Sequence, residues 1–467
     1  MSGASVEAAY RLLIGVSVVA AAGLLCFAIW RLRHNISLAI GLPILILIVF
    51  SNASDLLTRA IGTPSLLQPV IAILAIGVFF ARKRLQPSQP VITLLTLLLA
   101  LYCLFVFAST TWAKDLGLAD ERVSEIVKSF AIYLLVAMIA ASWSSLRQGI
   151  AAVVVTVSAL AILSLVQVAT GRFDNDFAGF AAVESGNIYS DVSGARIAGP
   201  MHDPNFYAQL LLVALPFAAA AAIAMRGARR TLFIIATLII GAAVILTYSR
   251  GAMLALAVMA VLLLTALRVR MLHFATAAVA AIVLLFALPS DVTARLVTVE
   301  QLLPGSGTGV ERDASVDKRK LVLGTAWNMF ADHPFLGVGI ANFSTRFNRY
   351  AALAGSSSPQ YDDPGEGQFP HSLYMQIAAE TGVVGLTLFG AAMLAAIASI
   401  YRTHRDLEAR GRSDLAAIAA GIGVALCGYL LTSMFLHGAY QRPLWITLGF
   451  TAAIARLRTQ PEAEVLA

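Results

Sequence analysis

The chain has 467 residues, is 59% hydrophobic and only 13% charged, and carries a formal net charge of +7. Soluble domains carry about 25% charged residues, so a soluble protein is excluded. Apolar runs long enough to cross a hydrocarbon core of about 30 Å recur along the chain, whereas a β-barrel would need short alternating segments.

The apolar runs predict spans at 10–30, 36–50, 66–81, 91–108, 125–142, 149–169, 206–225, 231–248, 251–267, 271–288, 372–400, 414–436 and 441–456. The fold class is therefore all-α, a polytopic transmembrane bundle of 12–13 spans. The first run lacks a small-residue cleavage site and reads as a retained span. Four regions follow: 1–170, N-terminal helices; 171–288, helices with the Arg196 and Arg250 motifs; 289–371, a long loop; and 372–467, C-terminal helices. Cys26, Cys103 and Cys427 lie inside apolar runs and give neither a disulfide framework nor metal spacing.

Basic residues mark every second loop. Arg31 and Arg33, Arg82 to Arg84, Arg147, Arg226 to Arg230, Arg268 and Arg270, Arg402 to Arg412, and Arg456 with Arg458 all fall in phase. Cytoplasmic loops collect Lys and Arg, so these loops are expected inside. The net positive charge belongs to this pattern and does not point to nucleic acid. Loops 51–65, 109–124, 170–205, 289–371 and 437–440, and the Ser249–Arg250 turn, are then external. Loop 289–371 holds an amphipathic helix over 317–331, with Leu323, Trp327 and Phe330 at helical spacing. That face is expected to lie on the membrane or cap a cavity. His333-Pro334 stops the helix, and the Ser/Pro/Asp/Gly-rich stretch 355–367, which carries Asp362-Asp363, reads as mobile.

Three polar clusters stand out on the external side. Residues 195–208 carry Arg196, His202 and Asp203, and Asn205 stands where a helix begins, a good N-cap position. Arg250 sits in a turn of almost no length between two spans, and a charge at membrane depth marks a functional site by default. Two arginines facing one compartment suit a phosphate or pyrophosphate, whose oxygens guanidinium binds in pairs. Read alone, Arg196 is also a solvated loop arginine and Arg250 one that snorkels to the headgroups. His371 closes the long loop, and an imidazole exchanges protons near neutral pH. His202, His333 and His437 are also external, but no zinc-binding spacing links the four. Gly337-Val338-Gly339 lacks the third glycine of a dinucleotide fingerprint. No Walker A, nucleophile elbow or CxxC is present, so neither a cofactor nor a metal is expected. Glu380 lies two helical turns into its span, where it is expected to pair with a cation or line a cavity.

Four stretches resemble the O-antigen ligase and polymerase superfamily of bacterial envelope glycosyltransferases. They are R-I-A-G-P-M-H-D-P-N-F-Y-A (196–208), T-Y-S-R-G-A (247–252), the R-K-L-V-L-G-T-A-W-N-M-F-A-D-H-P-F-L-G-V-G-I-A-N-F run (319–343) and P-H-S-L-Y-M-Q-I-A-A-E-T-G-V-V-G-L (370–386). The N-terminal half matches only as a series of spans. The resemblance implies a multi-pass protein of the bacterial inner membrane with its active site facing the periplasm. Its donor would be a glycan on undecaprenyl pyrophosphate, and its acceptor a glycan or lipid A–core, with neither nucleotide nor metal. It further implies that Arg196 and Arg250 bind the pyrophosphate, that His371 positions or deprotonates the acceptor hydroxyl, and that Asn205, Arg319 and Tyr374 shape the site. The chain departs from many relatives by one extra span and by His202-Asp203 before Pro204-Asn205. That leaves His202 between turn chemistry and substrate binding. Repeat-unit polymerisation and protein O-glycosylation are alternatives within the superfamily. Outside it, a polysaccharide transporter or flippase is the alternative, although transporters often show internal repeats and midplane polar sites.

Overall fold

The structure, a computed structural model, describes residues 38–61, 65–81, 93–184, 195–267, 314–353, 368–438 and 441–458. The expected spans 10–30 and 271–288, and the stretch 355–367 with its two aspartates, lie outside the described residues.

The N-terminal helices are α1 (Leu38–Phe50), α2 (Ala53–Ile61), α3 (Leu67–Ala81), α4 (Leu94–Ala108), α5 (Leu116–Ile139) and α6 (Trp143–Thr170). A two-stranded antiparallel ribbon follows, β1 (Ala182–Glu184) with β2 (Arg196–Gly199). Next come α7 (Pro204–Ala224), α8 (Gly227–Leu246) and α9 (Arg250–Ala266). The long loop contributes α10 (Ala314–Asp332) and α11 (Phe343–Leu353). The chain closes with α12 (Leu373–Ala409), α13 (Ser413–Thr432) and α14 (Arg442–Leu457). Among the described residues six helices are long and apolar enough to cross a membrane: Leu94–Trp112, Trp143–Thr170, Pro204–Ala224, Gly227–Leu246, Leu373–Ala409 and Ser413–Thr432. The protein is an all-α polytopic membrane protein.

Side-chain caps begin many of these helices. Thr93, Asp115, Ser142, Asp203 and Ser372 each accept a backbone N–H from the first turn of the helix that follows, so donors that would otherwise be orphaned are satisfied. Helix α5 starts nine residues before the apolar run does. Asp115 caps it, and Glu125 in its third turn meets Lys128 at 2.8 Å and Arg442 at 3.1 Å. Hydropathy cannot see such pairing, so it places the start too late.

The bundle inverts the soluble pattern. Leu94, Leu104 and Phe107 on α4, Leu232 and Leu238 on α8, and Leu394 on α12 are among its most exposed side chains. Inside, small residues let helices approach closely. A methyl at Gly421 of α13 would stand 2.8 Å from the Pro216 carbonyl and 2.5 Å from Ala220 on α7. Buried Gln209 of α7 then reaches across to donate to Thr432 Oγ1 at 2.8 Å and Ser433 Oγ at 3.1 Å.

Among the described residues, the basic positions at the start of α6, after α12 and after α14 meet at one end of the bundle. Arg147 meets Asp414, Arg458 meets Asp406, Arg410 donates to the Arg458 carbonyl, and Arg412 stacks over Trp143. The polar motifs gather at the other.

The expected amphipathic helix exists as α10, and besides the Leu323–Trp327–Phe330 side it has a second apolar side that faces the protein. Val322, Ala326 and Met329 pack with Val338, Phe343, Phe347, Tyr350 and Ala379 in a second core. Leu323 and Trp327 point outward, and Phe330 is only partly covered. The side facing α11 and α12 is the one that packs. Helix α11 and the β1–β2 ribbon were not legible in advance, being short and carried by tertiary contacts.

Candidate active site

Residues 195–208 form a compact support. Strand β2 pairs with β1 so that Glu184 stands opposite Arg196. Arg196 Nη1 donates to Glu184 Oε2 at 2.9 Å, and its Nε donates to the Thr247 carbonyl at 3.1 Å. Burial lowers the pKa of the Arg196 guanidinium, the carboxylates of Glu184 and Asp203 counter that, and the positive charge of Arg250 adds to the lowering. Arg196 and Arg250 therefore share one electrostatic neighbourhood.

Gly199 has φ +52, and a side chain there would strike the Tyr207 ring at 2.5 Å, so glycine is required for the turn to close on α7. The N-cap of α7 is Asp203, not Asn205. Its Oδ1 accepts from Asn205 N at 2.7 Å and Phe206 N at 3.2 Å. Pro204 takes the first helical position, where its missing N–H costs nothing, which moves the cap one residue before it. Asn205 is thus the second helical residue, with a half-buried side chain. His202 is exposed just ahead of the cap. Asn52 donates to the Pro200 carbonyl at 3.2 Å, so the N-terminal helices brace the same turn.

The second motif is the junction between α8 and α9. Thr247 caps α8, Tyr248 turns the chain, and Arg250 is the first residue of α9. The third motif opens α12. Ser372 caps it, and Leu373 N donates to the Ser433 carbonyl at 2.9 Å. Tyr374 directs its hydroxyl to the Leu430 carbonyl at 2.7 Å and so locks α12 to α13. Arg319 is exposed near the start of α10.

Seven non-glycine residues among those described have left-handed φ. His202 (φ 55), Tyr248 (φ 52) and His371 (φ 45) fall one in each motif. Such strain persists where surrounding structure imposes it, and it clusters at functional sites.

His437, which follows α13, joins the first and third motifs. Its ring stacks on Phe369 at 4.3 Å, meets the edge of Phe206 at 5.2 Å, and lies 6.1 Å from the His371 ring. Its Nδ1 is buried with no hydrogen-bond partner among the described residues. Burial pulls its pKa down to about 3, and the nearby His371 and Arg122 add to the effect. His437 is thus a neutral imidazole at ordinary pH. Sequence position marked it as external, but nothing in the pattern tied it to His371.

Arg122 of α5 was also missed, because it lies in the charged first turns of that helix. It lines a small cavity with Tyr102, Gln376 and Glu380. Gln376 accepts the Gly438 N–H at 2.8 Å, which fixes the backbone beside His437. The expectation that Glu380 lines a cavity near a cation holds, and the residue also has a structural task. Its Oε2 accepts from Gln376 Nε2 at 3.5 Å, one turn earlier on α12, and its backbone carbonyl accepts from Gly339 N at 3.0 Å.

The Gly337-Val338-Gly339 stretch is a close-packing device. Val338 N and Gly339 N donate to the carbonyls of Ala379 and Glu380 on α12 at 2.9 and 3.0 Å. A methyl on Gly337 would stand 2.3 Å from the Glu380 backbone. Asn342, fully buried, accepts from Lys114 N and Asp115 N at 2.7 and 2.9 Å, so the long loop is pinned to the start of α5. Among the described residues no three His, Cys, Asp or Glu side chains gather closely enough to hold a metal ion.

A polytopic bundle with arginines and a histidine gathered at one end defines a class: a membrane-embedded protein with a polar site at one bilayer face. Residues 234–390 match the model of the O-antigen ligase family. The matched segment runs from within α8 to within α12, taking in Arg250, Arg319, His371 and Tyr374, and supports membership of the O-antigen ligase and polymerase superfamily. None of the curated proteins matches the chain. The match supports a ligase-like or polymerase-type membrane enzyme.

Proposed function

We propose that the protein transfers a glycan from undecaprenyl pyrophosphate to an acceptor sugar at the periplasmic face of the bacterial inner membrane, without a metal. The observation that carries this reading is the bond from Arg196 Nε to the Thr247 carbonyl, which ties one guanidinium to the turn that holds the other. In the reaction the acceptor oxygen attacks the anomeric carbon. The bond from that carbon to the pyrophosphate oxygen breaks, and the lipid pyrophosphate leaves with the electron pair. Arg196 and Arg250 bind the pyrophosphate and stabilise the charge that grows on it. His371 takes the proton of the acceptor hydroxyl. Asn205 and His202, beside the Arg196 turn, contact the substrate, Arg319 meets it from the long loop, and Tyr374 holds the His371 end of α12 in place. The acceptor is lipid A–core in a ligase, a second repeat unit in a polymerase, or a protein hydroxyl in an O-glycosylating enzyme.

A deletion strain tests this reading. In a ligase, lipid-linked polymer accumulates and surface glycan is lost; in a polymerase, single repeat units accumulate; in a protein-glycosylating enzyme, a glycoprotein loses its sugar. Complementation to the wild-type level by each of well-expressed Arg196→Ala, Arg250→Ala and His371→Ala would overturn the enzymatic reading and favour a transporter.

A further inference from the structure

The outer side of the long loop carries an apolar stripe that the bundle does not cover. Leu323 and Trp327 of α10 are 37% and 58% exposed, and Phe335 and Leu336 of the following turn are 72% and 47% exposed. Trp327 and Phe330 touch ring to ring at 5.7 Å, so the stripe is continuous along the helix. The opposite side of α10 is already used: Val322, Ala326 and Met329 are buried against α11 and α12. An aqueous loop helix has no reason to keep leucine, tryptophan and phenylalanine in water on its free side.

The height of this stripe relative to the bilayer follows from α12. Residues 383–401 contain no charged side chain, and Arg402 follows. That stretch is about 28 Å long at 1.5 Å per residue, close to the roughly 30 Å hydrocarbon thickness. Its site-side end is Val383. The Phe335 turn is hydrogen-bonded there: Val383 N donates to the Pro334 carbonyl at 2.8 Å, and Val384 N to the Phe335 carbonyl at 3.3 Å. Gly382, with φ +63, permits this approach, since a methyl there would stand 2.3 Å from the Phe335 oxygen. The turn therefore lies at the edge of the hydrocarbon. Lys320, exposed and two helical turns before Trp327 on the same side of α10, stands where its amine reaches lipid phosphates.

We infer that the Leu323–Trp327–Phe330 stripe and the Phe335–Leu336 turn form an interfacial anchor, seated among the headgroups and upper acyl chains of the site-side leaflet. The occupant is bilayer phospholipid. Tryptophan prefers this depth, and a helix lying in the plane buries its apolar side there. The anchor holds α10 and α11 level with the bilayer surface, beside the site.

The test uses full-length protein with Cys26, Cys103 and Cys427 replaced by alanine, carrying Trp327→Cys or Phe335→Cys labelled with an NBD fluorophore. Asn348→Cys, exposed on α11, serves as the control. The protein is placed in vesicles of phosphatidylethanolamine and phosphatidylglycerol. Doxyl-labelled phosphatidylcholine should quench the labels at 327 and 335 several-fold more than aqueous iodide does, and the control should show the reverse. Stronger quenching by iodide at 327 and 335 would overturn the inference. So would protection from both quenchers, which would mean that protein covers the stripe. Both positions are exposed, so labelling leaves the folded core intact, and the control confirms a folded loop.

Discussion

Arg196 is held by Glu184 and the Thr247 carbonyl, so the protein itself orients its guanidinium. Preorganised charge is the largest contribution in many active sites. Arg196→Ala and Arg250→Ala should each lower the transfer rate by about a hundredfold to a thousandfold. Arg196→Lys should rescue little, because an ammonium cannot bond Glu184, Thr247 and a phosphate oxygen in one plane. Initial rates on a lipid pyrophosphate donor check both. His437 supports a pH prediction. Its folded pKa is about 3, below the roughly 6.5 of an unfolded histidine. Between those values the unfolded chain binds the extra proton, so stability is full above about pH 6.5 and declines as pH falls towards 3. His437→Phe should flatten that part of the thermal-stability profile in detergent, and an unchanged slope would assign the acid sensitivity elsewhere.

Elements show how far sequence reading reaches. Single-residue landmarks with strong chemistry were legible: the arginines, His371, and the helix that ends before His333. Among the described residues, span positions were legible because hydropathy reports them directly. Pairings were not. Arg122 is hidden in a charged helix start. Asn342 looks like a loop residue until its side-chain oxygen is seen accepting from two N–H groups just before α5. The second apolar side of α10, which packs in the protein, was not legible because spacing identifies an apolar stripe but not the neighbour that claims it. The Asp203 cap was missed by two residues for want of weight on Pro204. These missed contacts predict stability effects. Asn342→Ala leaves two buried backbone donors unsatisfied, each costing about 1–3 kcal/mol. Gly337→Ala adds left-handed strain of about 1–3 kcal/mol to a clash with the Glu380 backbone. Both should lower the melting temperature in detergent more than Gly390→Ala, where a methyl meets open space.

For the whole molecule, the bundle has two chemically distinct ends. Basic loops meet at one, through Arg147, Arg410, Arg412 and Arg458. The strained turns, Arg196, Arg250, His371 and His437 meet at the other. Those described basic loops keep in the fold the phase they have along the chain, and by the positive-inside rule the site would face away from the cytoplasm. In a cysteine-free background, an impermeant maleimide should label Lys114→Cys and not Arg402→Cys in cells with a permeabilised outer membrane. The reverse pattern would invert the protein.

The most direct measurement is transfer by purified protein in vesicles, from a synthetic undecaprenyl-pyrophosphate glycan to an acceptor sugar, with EDTA present. Turnover by wild type, with release of the lipid pyrophosphate and loss in Arg196→Ala and His371→Ala, is the predicted result. Transfer that requires added metal, or that survives both substitutions unchanged, would contradict it.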